Sequence, residues 1–460
     1  SIPSSSSYVR PDDLKINEVP RSEYTGTEIS SFLSYSDAAV VVIGRSGTDG
    51  YDLPRSRNSS GKYYREPSAE ELSMIALACE YFDNVVLLIN SADPVMLGCI
   101  EDPDYAVDSV LWVGNPGSTG ARAIGYVLNG YISPSGRLTE TWAYDHTSAP
   151  SCADFGASDY VWQSGSPAAN SDHYTVLSEG IYVGYRYYET RYEDYATKSG
   201  NAGEYVYDET VQYPFGYGLS YTTFDYSPIS VSENPETGNY DVTLLVTNTG
   251  DVAGKEVVQI YMQKDYTAYD ESAGIERPAV ELVGFTKTDT LMPASADENY
   301  TQPVTISVPK SSLEVYDPTA ADGAGAYITE GGEYLFTAAA DAHAAAENFL
   351  RYKAENGLAE VDETRVSAGY ANADASAVYS LTVAEDIPEA PADGESSAET
   401  DVSSADGFVA RSESSLTEQS GRFAEADIRT YDGEFRYLTR SDWEGTFPSE
   451  TYENGRWSAG

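Results

Sequence analysis

The sequence predicts two successive folds: an α/β sandwich built on a mostly parallel sheet with helices on both faces, and then an all-β sandwich of the immunoglobulin type. Between residue 37 and about residue 148, near-continuous apolar strands alternate with helices, which is typical of a parallel sheet. From residue 241 the apolar residues alternate with period two, and Gly, Pro and Asn residues separate the strands. The chain of 460 residues is long enough for about two to four domains.

The α/β part contains three predicted strands and two predicted helices. The strands lie at residues 38–43, 84–89 and 109–113, and the helices lie at residues 68–81 and 117–128. Ser68 and Glu71 have the Ser-x-x-Glu spacing of a capping box, which marks the start of the first helix. Ligands of such sheets bind beyond the carboxyl ends of the strands, and the glycine-spaced stretch 44–54 leaves one of those ends.

Tyrosine is abundant between residues 145 and 226, where the periodicity of helices and strands fades. We predict long ordered loops there, with the tyrosines concentrated at residues 179–195 and 213–224. Two explanations stay open for these side chains: they form an aromatic, hydrogen-bonding surface suited to sugars, or they pack beneath the loops. Strands of period two are predicted within residues 241–263, 303–309 and 332–338.

The formal net charge is −47, from 27 basic and 74 acidic side chains. So acidic a balance excludes nucleic acid and an anionic membrane surface as partners. No stretch approaches the ~18 apolar residues of a membrane span, and residues 1–8 lack the basic and apolar regions of a signal peptide. We expect a soluble protein, and the sequence leaves open whether it is cytoplasmic or secreted and whether it forms a homo-oligomer.

Cysteine and histidine are too sparse and too scattered for a metal centre or a disulfide framework. The cysteines are Cys79, Cys99 and Cys152, and the histidines are His146, His173 and His343. The wide spacing of the histidines argues against a histidine metal site and against a His-based catalytic triad. Abundant carboxylates leave a cation site open, but no motif points to one, so we expect no metal and no cofactor.

Residues 44–54, Gly-Arg-Ser-Gly-Thr-Asp-Gly-Tyr-Asp-Leu-Pro, follow the first predicted strand. Asp49 has flanking glycines that let the backbone approach a ligand, and a carboxyl group there can act as a general acid if its pKa is raised. The structural alternative is that Asp49 and Asp52 only form Asx-type turns. Ser46 lacks the G-x-S-x-G context of a hydrolase nucleophile. The glycines of residues 114–120 lack a phosphate-loop pattern, and we expect them to allow close packing of a helix start against the sheet.

Several stretches resemble family 3 glycoside hydrolases of the β-glucosidase type. The resemblance to the family's C-terminal α/β-sandwich domain is carried, in the family's order, by residues 38–54, 84–97, 107–142, 179–190 and 213–224. Residues 246–263 and their surroundings resemble the fibronectin type III-like domain that follows it. Residues 426–448 are similar to the connector of permuted members, in which the catalytic (β/α)8 barrel follows. The resemblance covers about residues 31–350 and includes neither the barrel nor the beginning of the sandwich domain.

The resemblance implies a retaining mechanism with two carboxylates, in which a barrel aspartate attacks the anomeric carbon and a sandwich-domain loop supplies the acid/base. In the family that loop usually has the sequence Ser-Gly-Glu-Gly or Ser-Gly-Gly-Glu-Gly. Asp49 of Ser-Gly-Thr-Asp-Gly therefore takes the position of the glutamate, with roughly 1.5 Å less reach. We take Tyr51 and Asp52, which follow it, as candidate substrate-binding residues.

Asp442 lies in a Ser-Asp-Trp context similar to that of the family's nucleophile, which ends an apolar barrel strand. Residues 436–440, which precede it, do not have the pattern of such a strand. We therefore expect Asp442 to be a structural connector and the nucleophile to lie outside this chain.

The sequence predicts five segments: a lead-in at 1–30, the α/β sandwich at 31–225, the fibronectin type III-like domain at 226–350, an acidic Ser/Ala/Glu-rich linker at 351–421, and a connector toward a barrel at 422–460. The expected function is part of a retaining exo-acting β-glycosidase that removes terminal non-reducing β-D-glucosyl residues from a β-glucoside or oligosaccharide. The barrel would lie on the same polypeptide or on a companion chain, and this chain alone would be inactive. The alternative is a non-catalytic carbohydrate-binding or scaffold protein derived from the same fold.

Overall fold

The computed structural model of the chain describes residues 20–32, 34–35, 38–45, 53–54, 57–154, 160–161, 173–174, 177–296, 298–320, 325–385 and 437–448. These residues belong to two compact units. Unit 1 comprises the residues up to Ile132 together with Trp142–His146, and unit 2 comprises Ser133–Thr141 and the residues from Thr147 onward.

The described α-helices are α1 (Gly26–Phe32), α2 (Ala69–Tyr81), α3 (Gly117–Leu128), α4 (Ser151–Asp154), α5 (Tyr185–Thr197), α6 (Tyr207–Thr210), α7 (Ala268–Ala273), α8 (Ala342–Glu355) and α9 (Trp443–Thr446). The described strands are β1 (Ala39–Gly44), β2 (Val85–Asn90), β3 (Ser109–Trp112), β4 (Trp142–Ala143), β5 (Tyr160–Val161), β6 (His173–Tyr174), β7 (Val211–Tyr213), β8 (Phe224–Tyr226), β9 (Ser230–Glu233), β10 (Tyr240–Asn248), β11 (Val257–Lys264), β12 (Glu281–Lys287), β13 (Thr301–Val308), β14 (Val315–Asp317), β15 (Ala326–Ile328), β16 (Gly332–Ala339) and β17 (Val378–Val383).

The sheet of unit 1 consists of β1, β2 and β3 in that order, and both strand pairs are parallel. Gly44 at the end of β1 lies opposite Asn90 at the end of β2, and Ile89 of β2 lies opposite Trp112 at the end of β3. The three strands and the helices α2 and α3 lie within about one residue of their predicted positions, since each has a local apolar pattern. The predicted parallel sheet is confirmed, and its carboxyl ends form one edge.

Helix α2 begins with the predicted capping box. The Ser68 hydroxyl accepts a hydrogen bond from the Glu71 amide at 3.2 Å, and the Glu71 carboxylate accepts one from the Ser68 amide at 2.7 Å. The helix packs against β1 and β2, and Ile43 and Ile75 are completely buried. Val40 and Val42 alternate with these inward positions on β1 and are 46% and 49% exposed.

Unit 2 contains the predicted antiparallel sandwich. One sheet has the order β13-β10-β8 with β9 also paired to β10, and the other has the order β12-β11-β16-β17. The inner faces of the two sheets share one apolar core, whose completely buried members include Val242, Val246, Val258, Ile260, Val308 and Phe336. Alternation along β10, whose burial changes at every residue, explains why the period-two pattern was visible in the sequence.

The linker predicted from residue 351 does not begin there. Helix α8 continues to Glu355 and buries Phe349 and Leu350, and β17 pairs in antiparallel fashion with β16. The alanine-rich composition of this stretch resembles a linker, but Tyr370 and Val383 within it are buried, and that packing decides the structure. The remainder of the predicted linker, from residue 386, lies outside the described residues.

The prediction of loops is wrong for residues 185–197, which form helix α5. Tyr187, Tyr188 and Tyr192 of this helix are at most 3% exposed, which supports packing and not a sugar-binding surface for these tyrosines. The helix also buries three acidic side chains, Glu189, Glu193 and Asp194. Because acidic residues face inward together with the aromatic ones, α5 has no polar face, and the helical period is hidden in the sequence.

Within the described ranges, none of the helices has the length and apolar character that a membrane span requires.

Candidate functional site

The predicted catalytic loop lies mostly outside the described residues, which include neither Asp49 nor the candidate binding residues Tyr51 and Asp52. The structure does describe where the chain enters this stretch, at Arg45, and where β1 ends. Because β1 ends at the same sheet edge as β2 and β3, the stretch starts at the edge where parallel sheets bind ligands.

Arg45, the first residue after β1, has its guanidinium fixed on all sides. Nη1 and Nη2 donate to the two carboxylate oxygens of Glu71 at 2.7 and 2.8 Å. Nε donates to the Tyr64 carbonyl at 2.6 Å, Nη2 to the Glu66 carbonyl at 2.9 Å and Nη1 to the Gly44 carbonyl at 2.8 Å. The Arg45 and Glu71 side chains are only 7% and 13% exposed. A bidentate pair of this kind fixes the orientation of the guanidinium as well as its position, so the predicted loop starts from a rigid attachment point at Arg45.

Glu71 connects this attachment point to helix α2. The same carboxylate that binds Arg45 accepts the Ser68 amide in the capping box. It also lies in the first turn of α2, where the helix dipole favours a negative charge. The start of α2 and the end of β1 are therefore tied together through one carboxylate.

A second ion-pair cluster follows the predicted loop. Arg57 Nη1 donates to the Gly61 carbonyl at 2.9 Å and to Glu66 at 3.2 Å, and its guanidinium lies 4.0 Å from the centre of the Tyr63 ring. Lys62 Nζ lies 2.7 Å from Glu66. Burial opposes the charged form of Glu66, but the hydrogen bonds from Lys62 and the Tyr63 amide, with the two nearby cations, hold its pKa below the usual value.

The segments after β2 and β3 are also held by hydrogen bonds. The indole nitrogen of Trp112 donates to the Ser91 carbonyl at 2.7 Å, and the buried Ser91 hydroxyl donates to the Asp93 carbonyl at 2.7 Å. In the first turn of α3, a Cβ on Gly120 would lie 2.9 Å from the side chain of the N-cap residue Pro116. Contact with the N-cap of its own helix therefore accounts for Gly120, whereas the predicted packing of this helix start against the sheet is not what these glycines show: Cβ atoms on Gly114 and Gly117 would have no atom within 4 Å.

Asp442 is part of a helix cap. Its carboxylate accepts a hydrogen bond from the Gly445 amide at 3.0 Å, as the N-cap of α9, and another from the Asn201 side chain at 2.6 Å. These contacts favour the predicted connector role, and the exclusion of Asp442 as nucleophile stays a prediction.

The structure brings together a Ser-His-Glu arrangement that sequence spacing did not indicate. His343 Nδ1 lies 2.8 Å from Glu189, and Nε2 lies 2.8 Å from the Ser367 hydroxyl. Nε2 is also 3.1 Å from Glu347, and the imidazole stacks on the Tyr207 ring with 3.6 Å between centroids. The residues come from separate parts of unit 2, so only the folded chain reveals their proximity.

This arrangement is a buried ion network and not a nucleophilic triad. Burial disfavours the charged imidazole, but Glu189 and Glu347 outweigh it and raise the pKa of His343 to about 10. The imidazolium cannot accept the Ser367 proton, and the Ser367 hydroxyl already donates to Glu347 at 2.5 Å. Ser367 is itself only 7% exposed. We therefore assign the cluster a structural role, in which it joins α5 to α8.

Among the described residues, no group of three or more His, Cys, Asp or Glu side chains is placed to hold a metal ion. Cys79, Cys99 and Cys152 form no disulfide. Burial raises the pKa of the Cys79 and Cys99 thiols, which makes both poor nucleophiles.

Two domain families match the chain. The glycosyl hydrolase family 3 C-terminal domain matches residues 15–221, and the fibronectin type III-like domain matches residues 256–342. The first match includes the predicted loop, the sheet of unit 1 and helix α5.

Similar curated proteins carry the name beta-glucosidase. The beta-glucosidase of Ruminococcus albus is 32% identical over 315 residues, which are 68% of this chain and 28% of that protein. Beta-glucosidase A of Butyrivibrio fibrisolvens is 31% identical over 333 residues, which are 66% of this chain and 36% of that protein. The chain thus spans about a third of the length of these relatives.

Solved structures that are similar to this chain are also beta-glucosidases, and the chain again covers only part of each. A beta-glucosidase from Paenibacillus barengoltzii superposes with a TM-score of 0.55 at 27% identity, over 71% of this chain and 30% of that one. Beta-glucosidase 3B from Thermotoga neapolitana, in complex with glucose, superposes with a TM-score of 0.54 at 29% identity, over 73% and 40% of the two chains. The chain is thus similar to glycosyl hydrolase family 3 over that family's C-terminal domain, at residues 15–221, and over a following fibronectin type III-like domain, at residues 256–342.

Proposed function

We propose that this chain is the part of a retaining exo-β-glucosidase that supplies the general acid/base, with Asp49 in that role. The complete enzyme would remove terminal non-reducing β-D-glucosyl residues from a β-glucoside or oligosaccharide. Its nucleophile would be an aspartate of a (β/α)8 barrel, on the same polypeptide or on a companion chain.

The observation that carries the proposal is the place of Ser46–Gly50 in the chain. This Ser-Gly-Thr-Asp-Gly segment directly follows Arg45 in sequence and lies within the family match, and Arg45 itself follows the strand end at the carboxyl edge of the parallel sheet. A general acid must return to one position at every turnover, and the bidentate Arg45–Glu71 pair offers a fixed attachment point for such a loop. The names of the similar proteins supply the substrate class.

The mechanism has two steps. In the first, the barrel carboxylate attacks the anomeric carbon while the protonated Asp49 gives its proton to the glycosidic oxygen, so the C–O bond breaks and the aglycone leaves as an alcohol. In the second, the Asp49 carboxylate takes a proton from water, whose oxygen attacks the anomeric carbon and releases the barrel carboxylate. Two inversions leave the sugar with its original β configuration, which requires carboxyl groups about 5–5.5 Å apart.

The shorter side chain of aspartate sets a specific demand on this loop. Asp49 reaches roughly 1.5 Å less far than a glutamate, about one carbon–carbon bond. The backbone of residues 46–50 would have to lie correspondingly closer to the glycosidic oxygen, and the flanking glycines permit such an approach.

A series of aryl β-glucosides with different leaving groups tests the proposal in the complete, barrel-containing protein. D49N should lower kcat/KM by about 10²–10⁴-fold for poor leaving groups and much less for 2,4-dinitrophenolate, because only poor leaving groups need the proton. D104N, which alters an exposed aspartate of unit 1, is the matched control and should leave the series unchanged. An unaltered dependence on the leaving group in D49N would remove Asp49 from the mechanism.

The chain on its own gives a second test. Without a barrel nucleophile it should not hydrolyse an aryl β-glucoside, and hydrolysis at enzyme-like rates would contradict the proposed division of roles.

The Asp in place of the family's Glu favours a second candidate, a carbohydrate-binding or scaffold protein without catalysis. Calorimetric titration of the complete protein with glucose and with a cationic iminosugar separates the two. An enzyme binds the iminosugar much more tightly because it resembles the charged transition state, whereas a simple binder holds both ligands with similar, weak affinity.

A further inference from the structure

Residues 437–448, which we call the strap, dock onto unit 2 in an extended form that ends in α9. We call the surface that receives them the socket. It is formed by Tyr182, Tyr187, Glu193, Asp194, Gly200, Gly203, Tyr266 and Glu276. The strap follows the end of β17 only after a long stretch of chain, so its position is set by the socket and not by the neighbouring sheet.

Arg440 is the charged anchor of the strap. Its Nε donates to both Asp194 oxygens at 3.1 and 3.0 Å, and its Nη2 donates to Glu193 at 2.7 Å and to Asp194 at 2.8 Å. Its backbone amide donates to Glu276 at 2.9 Å, and its guanidinium lies 5.5 Å from the centre of the Tyr266 ring. Nη1 donates to the Arg277 carbonyl at 3.3 Å, so all three guanidinium nitrogens are hydrogen-bonded, and only 5% of the residue is exposed.

Trp443 is the aromatic anchor. It is completely buried, and its indole nitrogen donates to Asp194 at 2.8 Å. Its ring packs edge-on against Tyr182 and Tyr187, with centroid distances of 4.8 and 5.8 Å. Asp194 thus receives both anchors of the strap, Arg440 and Trp443.

The backbone of the socket is shaped for the strap. Gly200 has a φ of +60°, and a Cβ there would lie 2.3 Å from the Arg440 carbonyl; Gly203 has a φ of +65°, and a Cβ there would lie 2.2 Å from Glu444. The Trp443 amide donates to the Gly200 carbonyl at 2.9 Å. Side chains on these two glycines would occupy the space that the strap fills.

The negative charge of two buried carboxylates makes the socket selective for a cationic side chain. Glu193 and Asp194 are each 2% exposed, in a chain of formal charge −47. Lys353 lies 3.2 Å from Glu193 and 2.8 Å from Asp265, whereas Asp194 forms an ion pair with Arg440 at 2.8 Å. A buried carboxylate without a cation is costly, so the socket favours a guanidinium over a neutral side chain.

We propose that the socket is a peptide-recognition site for an Arg-x-x-Trp segment, and that its grip on the strap holds the chain around residues 437–448 to unit 2 even when the covalent connection is cut. Arginine and tryptophan buried at the centre of a contact are the residue types that dominate binding energy between proteins. This contact between the strap and the socket does not depend on the proposed glycosidase activity.

Cutting the full chain after it has folded tests the proposal. A specific protease site is inserted between Ser403 and Ser404, outside the described residues, and the cut protein is analysed by size-exclusion chromatography under native conditions. The two fragments should elute together. The combined variant R440M/W443A should release the C-terminal fragment, and R122M, which removes an exposed arginine of unit 1, should retain it. Release in the unmodified protein, or retention in R440M/W443A, would overturn the proposal.

Peptide competition on the cut, unmodified protein keeps the test valid if the double variant does not fold. An excess of a synthetic peptide of residues 436–448 should displace the C-terminal fragment, and the same peptide with alanine at positions 440 and 443 should not. R440K should speed dissociation by about 10–100-fold, because an ammonium cannot form the bidentate contact. Failure of the first peptide, or equal displacement by both peptides, would contradict the proposed recognition.

Discussion

Arg45 in unit 1 and Arg440 in unit 2 are both buried arginines bound to carboxylates, with side chains only 7% and 6% exposed. Arg45 binds a glutamate 26 residues away in sequence and three carbonyls of the same region. Arg440 binds Asp194 across 246 residues. The first arrangement fixes the end of β1, directly before the residues for which we propose the acid/base role. The second is buried within unit 2, where it holds residues 437–448 against helix α5.

The comparison shows that burial of charge does not by itself mark an active site. The described part of unit 2 contains strongly buried ionisable groups, among them Glu189 and Asp270, and two of its buried cations are each enclosed by carboxylates. His343 lies between Glu189 and Glu347, and Lys353 lies between Glu193 and Asp265. Chemistry needs a group that can exchange a proton with a substrate, and the proposed site at the edge of unit 1 is where one can be presented.

The largest expected effect on stability is that of H343Q in unit 2. The variant leaves two buried carboxylates without their cation, so we expect a loss of about 3–5 kcal/mol in the free energy of unfolding. The raised pKa of about 10 means that the stabilisation is fully present below the unfolded value near 6.5 and is lost as the pH rises through about 10. Urea unfolding should therefore show the difference between the two proteins shrinking from pH 7 to pH 10.

The matched control is H146Q, which removes a histidine of unit 1. It should leave the pH dependence of unfolding of unit 2 unchanged. A wild-type advantage over H343Q that stays constant from pH 7 to pH 10 would show that the imidazolium is not the source of the stability.

R45M tests the corresponding arginine of unit 1. Loss of the bidentate pair and of three bonds to carbonyls should cost about 3 kcal/mol, because Glu71 stays largely buried without its partner. R57M is the control: its side chain is 50% exposed, and its pair should contribute less than about 1 kcal/mol. Urea unfolding measures the loss in the free energy of unfolding for both variants. Equal losses would refute the distinction between the buried Arg45–Glu71 pair and the exposed Arg57–Glu66 pair.

A smaller effect is expected from S68A. The variant removes the hydroxyl that caps α2 and should cost about 1 kcal/mol, with faster hydrogen exchange in the first turn of the helix. S68T retains a capping hydroxyl and should recover most of the loss. No change in S68A would mean that the capping box contributes nothing to the join between β1 and α2.

The smallest effect is expected from K310M in unit 2. Lys310 and Glu233 are 3.8 Å apart and 58% and 56% exposed, so solvent screens the pair. The free energy of unfolding should change by less than about 0.5 kcal/mol. A loss as large as that of H343Q would show that position in the core does not decide the value of an ion pair in this unit.

The sequence predicted unit 1 and the sandwich of unit 2 because their signals are local. The Ser68–Glu71 capping box spans one helical turn, and the alternation along β10 needs only its own nine residues. Helix α5 and the strap were missed or left without a fold because many of their polar side chains have partners far away in sequence, 154 residues for Glu189 with His343 and 249 residues for Trp443 with Asp194. The proposed role of Asp49 rests on the family resemblance. The carboxylates of Asp49 and Asp52 and the neighbouring glycines also fit a simple turn when they are taken alone.

Azide rescue of D49G in the complete, barrel-containing protein tests the central claim most directly. Without the acid/base, a good aryl leaving group still departs, and the small azide anion occupies the vacated space and attacks the glycosyl-enzyme. The account predicts that azide accelerates turnover of 2,4-dinitrophenyl β-glucoside by D49G and not by the unmodified enzyme, and that the product is β-glucosyl azide, identified by NMR. Glucose as the sole product, with no acceleration by azide, would contradict the assignment of Asp49 as the acid/base.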